Sequence, residues 1–424
     1  MNIVKNVIVF TMTIALFSVT AMPAYCASDE VMQEIRALKA RIEQLEKKLA
    51  QQDSKIEQQG EKIASQTNAI EEIGTIKDAL GNLEFSVGAT SVVQGTVNND
   101  DLDGDDTDAA YSVDIEITAP VGKNGTALLY LEGGEGMGIT DELPLFSGLN
   151  ADATGDDDAD LQISELWYEH SFRGGTVVGT IGKLDITRWF DANAVANDET
   201  TQFLSDMFVN NVAVEFPDYA YGVRLSLYPG ELFEIHLGAV ESDSDFEDIF
   251  DETFFVAEVG ITPGLFGRKG AYRFYAWTNR DNHSEFRDPR DNHEEGYGFG
   301  LSFDQQVTDT ITGFARFGWQ DEDVYEIETS WSIGVQFAGA LWGRQEDVFA
   351  MAFGRSDFGD DYRESLRDAG FGTNPAESLF EAYYSMKVND HITIAPDVQV
   401  ADGMLGMDND DTVTILGVRA QLDF

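Results

Sequence analysis

The residues best suited to chemistry on a solute lie close together between Asp185 and Asn211. Arg188, Trp189, Asp191, Asn193, Asn197 and Asp198 supply a guanidinium, an indole, two carboxylates and two amides within eleven positions. Sugars need that mixture, because hydroxyls pair with amides, carboxylates and guanidinium while ring faces pack on aromatics. The stretch has no period of two, sits between two well-alternating segments, and is long enough to expect a function. Folded into a barrel it narrows the lumen; lying on a surface it is an ordinary loop. These residues alone leave both readings open.

The elements that must position it alternate with a period of two, as strands do. Tyr111, Val113, Ile115 and Ile117 are separated by Ser112, Asp114, Glu116 and Thr118. Leu416, Val418, Ala420, Leu422 and Phe424 are separated by Gly417, Arg419, Gln421 and Asp423. Each strand has a greasy face and a wet face, which a closed transmembrane barrel requires: lipid outside, water inside. A terminal aromatic on such a strand is the usual mark of bacterial outer-membrane barrels. Sixteen or seventeen such segments can be counted, most near ten residues, and an even number closes a bacterial barrel. The expected fold is therefore all-β, an antiparallel transmembrane β-barrel of sixteen strands over 83–424. Short turns, at Phe216-Pro217-Asp218-Tyr219 and Tyr228-Pro229-Gly230, contrast with long acidic connections at 98–108, 133–160, 281–295 and 356–375. Strand parity makes Glu165, Trp167, Glu169, Lys183, Arg224, Arg273, Tyr275, Trp277, Arg316, Glu381, Tyr383 and Arg419 lumen-facing candidates. Opposed acids and arginines across a pore set its ion preference. Trp319 has the opposite parity to Arg316 and reads as an interface-girdle residue.

Ahead of the barrel the patterns differ. Residues 1–27 read as a secretory signal, with Lys5 in the n-region, an apolar run from Ile8 to Thr20 and small residues from Ala24 to Ala27. From 29 to 80 the period is seven. Ile35, Ile42, Leu49, Ile56, Ile63 and Ile70 recur at a, with Leu38, Leu45, Gln52, Gln59, Gln66 and Ile73 at d. That pattern predicts an α-helical coiled coil in the periplasm, and its seam needs partner helices, so a homo-oligomer follows. Cys26 is the only cysteine, so no disulfide forms within one chain.

Composition excludes several classes. A formal net charge of -50, from 77 acidic against 27 basic residues, argues against nucleic acid as a partner. Aromatic residues make up 11% of the chain, too many for an acidic disordered protein. The clusters Asp101, Asp103, Asp105, Asp106, Asp108 and Asp156, Asp157, Asp158, Asp160 raise a calcium question. They miss the EF-hand spacing and read as solvated loops, so no metal is assigned. His170, His236, His283, His293 and His391 are scattered without paired metal spacing. Nucleophile-elbow and phosphate-loop motifs are missing, so neither an enzyme nor a cofactor is expected.

With these residues in view, the chain resembles the carbohydrate-selective porin family of Gram-negative outer membranes. The resemblance is carried by GKLDITRWFDANAVANDETTQFLSDMFVNN from Gly182 to Asn211 and by FPDYAYGVRLSLYP from Phe216 to Pro229. It continues in Gly334 to Ser356 and in the EAYY…PDVQ block between Ser378 and Gly403. The resemblance implies a sixteen-stranded barrel passing small hydrophilic solutes, chiefly sugars, across the outer membrane, with lipid around it and a trimeric assembly. It also implies basic groups at the constriction, for which Arg188, Arg224 and Arg273 are the candidates. Two features depart from the family: the coiled coil is an addition, and the acidity is unusually strong. The competing readings are a structural tether built on the coiled coil, a general cation-preferring pore, and a pore for a siderophore-type chelate.

Overall fold

The computed structural model describes residues 81–97, 106–153, 161–246, 252–288, 293–406 and 412–424, apart from positions 82, 141, 142 and 144. The chain divides into two units, Met1–Leu80 and Gly81–Phe424, and all described residues fall in the second. The signal at 1–27, the coiled coil at 29–80 and the calcium question at 101–105 and 154–160 lie outside the described residues.

Sixteen strands follow one another around a closed barrel. They are β1 (Glu84–Val97), β2 (Thr107–Val121), β3 (Gly125–Glu135), β4 (Gln162–Phe172), β5 (Val177–Leu184), β6 (Ala220–Leu227), β7 (Phe233–Glu241) and β8 (Thr253–Ile261). The second half comprises β9 (Gly270–His283), β10 (Glu294–Gln306), β11 (Ile311–Gln320), β12 (Ile327–Ala338), β13 (Val348–Phe358), β14 (Ala376–Asn389), β15 (Ile392–Asp402) and β16 (Val413–Asp423). Every strand pairs antiparallel with its sequence neighbours, and β1 pairs with β16, as in Ser91 with Ala420. Phe424 completes the seam, because its N–H and carbonyl bond Val87 at 2.9 and 3.1 Å. Closure leaves no unpaired edge, which is what lets strands cross lipid.

Outward residues are apolar and accessible, among them Ile181 at 59% and Ile333 at 56%. Trp319 stacks on Phe299 at 5.7 Å on this outer face. The connections after even-numbered strands are short, as at 122–124, 173–176 and 390–391, whereas those after odd-numbered strands are mostly long. That asymmetry is typical of outer-membrane barrels. Among the described residues no helix is long and apolar enough to cross a membrane, and the crossing is made by strands. The Phe216-Pro217-Asp218-Tyr219 turn proves not to join two strands on the short-turn side. It ends the long β5–β6 connection, and proline and aspartate mark a tight turn at either rim.

The lumen is partly filled. The connection from 185 to 219 and the described part of the β3–β4 connection, 136–153, both fold inside. The second was expected to be a solvated acidic loop, but Ile139, Leu143 and Leu149 are fully buried. These three join Phe203, Met207 and Phe208 against Phe314, Leu379 and Tyr383 of the wall. A second cluster packs Ile186 and Phe190 against Phe254, Tyr275 and Trp277. Glycine permits the close approach: a Cβ at Gly300 would lie 2.2 Å from the Tyr275 ring, and one at Gly318 would lie 2.5 Å from the Asn211 amide.

Candidate functional site

Asp185 starts the inward segment by accepting the Thr187 N–H at 2.8 Å, which caps a single turn at Ile186–Arg188. The turn aims Arg188 at Glu165 of β4, whose carboxylate accepts its Nε at 3.1 Å. Glu165 also accepts Trp167 Nε1 at 2.9 Å and the Asp185 N–H at 3.3 Å. Trp189 lies 4.3 Å over the Arg224 guanidinium and edge-on to Trp167 at 5.9 Å. Arg224 in turn donates to Glu169 at 2.7 Å and to Thr180 at 3.0 Å.

Beyond Trp189 the chain is clamped to the wall. Asp191 is fully buried with φ 56°, a conformation that aspartate tolerates better than most residues. Its carboxylate pairs with Arg316 Nε at 3.1 Å and accepts the Asn211 N–H at 2.8 Å. Arg316 also donates to the Asp191 carbonyl at 2.9 Å, the Asn197 side chain at 3.2 Å and the Phe208 carbonyl. Asn193 donates to Ser302 at 3.3 Å and the Phe303 carbonyl at 3.2 Å. Arg273 holds the Ala192 carbonyl at 2.8 Å and pairs with Asp304 at 3.0 Å.

Further along, Ser205 caps a short helix, α1 (Asp206–Val209). Glu381 accepts the Leu204 and Ser205 N–H groups at 2.7 and 3.1 Å. Four residues earlier on the same face of β14, Glu377 accepts the Phe146 and Ser147 N–H groups at 3.2 and 2.9 Å. The two carboxylates thereby hold the two inward segments side by side, and the Ser205 hydroxyl ties them by donating to the Gly148 carbonyl at 2.7 Å.

A cavity of 750 Å³ remains between the inward segment and the wall of β2 to β4. Glu116, Glu165, Asp185, Asp198, Glu199, Asp206 and Asp218 line it, and Arg188 is the one cation among the described lining residues. A second space of 530 Å³ adjoins it, bordered by Glu132, Asp152, Glu199 and Asp218, with Lys183 at its edge. Burial pushes the carboxyls of Asp152 and Asp206 up to about 7. For Asp152 the neighbouring Asp114 and Glu132 add to the rise, and the Ser112 hydroxyl, 2.8 Å away, opposes it.

Of the residues proposed from sequence, Arg188, Asn197 and Asp198 line the cavity. Asp191, Asn193, Arg224, Trp277, Arg316 and Glu381 do not: each is at most 8% exposed. Arg273 is nearly as closed, with its side chain 15% exposed. Arg224, Arg273, Trp277, Arg316 and Glu381 have lumen-facing parity, but the inward segments cover them. Asp191 and Asn193 lie in the inward segment and bond the wall; a covered charge needs a partner. Trp189 is half-buried between Trp167 and Arg224. Lys183 shares the parity of Ile181 on the outer wall and pairs across to Tyr221. Its ammonium bends to the Ile163 carbonyl at 2.9 Å, near the ring of Tyr219. Glu377, Gln399 and Asp152 were missed. Gln399, like Gln94, donates to the Leu149 carbonyl, at 2.9 and 3.2 Å. Their only sequence signal was inward strand parity, or in Asp152 a place within an acidic loop.

Among solved structures the fold is similar to the high-pH structure of Pseudomonas putida OprB. The TM-score is 0.72 at 16% identity, covering 83% of this chain and 97% of that one. It is also similar to the outer membrane channel DcaP of Acinetobacter baumannii, with a TM-score of 0.50 at 12% identity over 81% and 97% of the two chains. An uncharacterized protein of Aquifex aeolicus (strain VF5) is 25% identical over 243 residues, which is 57% of this chain. The chain spans 63% of that relative's length. The model of the carbohydrate-selective porin, OprB, family matches residues 98–424, nearly the whole barrel with both inward segments. The chain belongs to that family.

Proposed function

We propose that this protein is a porin through which small hydrophilic solutes, sugars among them, diffuse passively, and whose passage favours neutral and cationic solutes over anions. The fold and family are those of a channel of the bacterial outer membrane. The observation that carries the charge preference is the lining of the main cavity, seven carboxylates against one guanidinium. Walls of one charge sign raise the local concentration of the opposite ion and set selectivity in a narrow pore. Solute contacts are assigned to Arg188, Asn197 and Asp198, with Asp206 and Glu199 supplying further acceptors for solute hydroxyls. Family membership supports sugars, while the acidic lining supports a second reading, a general cation-preferring pore indifferent to them.

Conductance of the purified protein in planar bilayers separates the two. Current blocked saturably by mono- or oligosaccharides, and altered in Arg188→Ala, is expected for the sugar porin. Open cation-preferring channels unaffected by sugar establish the general pore, and bilayers left non-conducting defeat both. A homotrimer clamped by a periplasmic coiled coil at 29–80 belongs to the same proposal. Crosslinking of the full chain against a chain lacking 29–80 tests it, with loss of the trimer as the expected result.

A further inference from the structure

The connection between β7 and β8 carries an arrangement that neither the passage nor the wall requires. Strand β7 ends at Glu241, paired with Thr253 of β8. Its parity is that of Phe233 and Leu237, both exposed on the outer wall, so its carboxylate does not belong to the lumen. Glu241 is nevertheless only 1% exposed. Neither of its carboxylate oxygens has a well-formed hydrogen bond, and the Phe246 N–H is the donor that approaches it. A buried ionised carboxylate without a donor or counter-charge is strongly unfavourable, and native structures rarely leave one so.

Two more carboxylates face it. Asp243 and Asp245 are exposed, and each places an oxygen so that these and one from Glu241 all lie within 4.8 Å of one another. Three like charges at that spacing repel. Lys183 lies near, over the Phe246 ring at 5.6 Å, but its ammonium is bonded to the Ile163 carbonyl. The spacing suits one hard cation. Calcium binds oxygen at about 2.3–2.6 Å, so two ligands on opposite sides of it stand roughly 4.6–5.2 Å apart. Carbonyls and water fill the rest of its usual shell of about six to eight oxygens.

We propose that Glu241, Asp243 and Asp245 form a divalent-cation site, fitted to an ion of calcium's size, that fastens the β7–β8 connection to the barrel rim. The buried Glu241 is the anchor, and the two aspartates close over the ion from the solvent side. The site lies on the long-loop side, where an outer-membrane barrel faces the medium.

The test uses the full chain in detergent micelles after treatment with a chelator, titrated with calcium chloride by calorimetry and by thermal unfolding. One saturable site above the diffuse background is expected, with a rise in Tm on binding. Glu241→Gln should weaken calcium binding about tenfold or more, a loss seen even for residues that only support metal ligands. Without calcium the same variant should match or exceed the wild-type Tm, since an unpaired charge is gone; with calcium it should fall below. That crossover is not expected of a merely structural glutamate. Asp243→Asn, at an exposed position, gives the binding readout should Glu241→Gln fold poorly. Asp368→Asn, at a distant exposed acid, controls for bulk charge and should change nothing. Wild-type affinity in Glu241→Gln or Asp243→Asn, or an equal loss in Asp368→Asn, would overturn the site.

Discussion

The two halves of the lumen use the same residue types to opposite ends. Against β8 to β16, every arginine that faces inward is covered and partnered: Arg273 with Asp304, Arg316 with Asp191, and Arg419 with the Glu199 carbonyl. Against β2 to β4, carboxylates crowd a water-accessible cavity with a single guanidinium among them. Burial makes the difference. A covered charge survives only with partners, so on that side ionic groups become fasteners; a hydrated charge needs none and remains available to solutes. Electrostatic fastening holds the inward segments on one side, and the acid-lined cavity lies on the other.

The largest effect should come from removing the central fastener. Arg316→Ala strands the Asp191 carboxylate and the Asn197 and Phe208 acceptors, at a cost of about 3–5 kcal/mol. Thermal unfolding in detergent should show the loss, and single-channel recordings should show larger, noisier conductance as the inward segment comes free. If conductance is unchanged, the anchored half does not set the width.

Glu381→Ala removes two hydrogen bonds to the Leu204 and Ser205 N–H groups, roughly 1–3 kcal/mol. Urea unfolding should register it, and the connection should become cleavable by protease in micelles while the strands stay intact. The open half is probed by pH. With folded-state values near 7, Asp152 and Asp206 are charged above that pH and neutral below it. Lowering pH from 8 to 6 therefore removes negative charge from the passage, and the cation-over-anion ratio in bilayers should fall with a midpoint near 7. The double variant Asp152→Asn, Asp206→Asn should lack that step. The smallest effect belongs to the boundary: Arg224→Lys keeps the charge but loses planar stacking under Trp189, about 0.5–1 kcal/mol. A small Tm decrease with unaltered ion selectivity is expected.

Most of the wall was readable because period two leaves little freedom: Trp277, Arg316, Glu381 and Arg419 had to share one face, whereas Lys183, assigned to the lumen, has the outer parity of Ile181. Sixteen strands followed from the same patterns; the stretch at Asp185–Asn211 stood out from them, with inward and surface placements both open. What covers that face was not readable. Within the aperiodic connection nothing distinguishes Asp198, which lines the cavity, from Asp191, which is sealed under Arg316, because covering depends on a wall residue far away in sequence. Glu377 is one of 77 acidic residues, and only the arrival of Phe146 and Ser147 makes it an anchor. The segment at 136–153 misled for a related reason. Its acidic flank suggested solvent, while Ile139, Leu143 and Leu149 supply enough apolar surface to seat it inside.

The bonds from Phe146 and Ser147 to Glu377 also fix an order of assembly. They join positions 231 and 230 residues apart, on either side of the β1–β16 seam. In the closed barrel β3 and β14 are five strands apart, but in an unclosed sheet they would be eleven apart. At about 4.8 Å per strand that is roughly 50 Å, more than the ~40 Å that the eleven residues from the end of β3 to Phe146 can span when fully extended. The β3–β4 plug therefore cannot lock until the seam has zipped. A barrel caught before closure would be an open, acid-lined trough, and protection of the Ser147 amide from exchange would time the moment it becomes a pore.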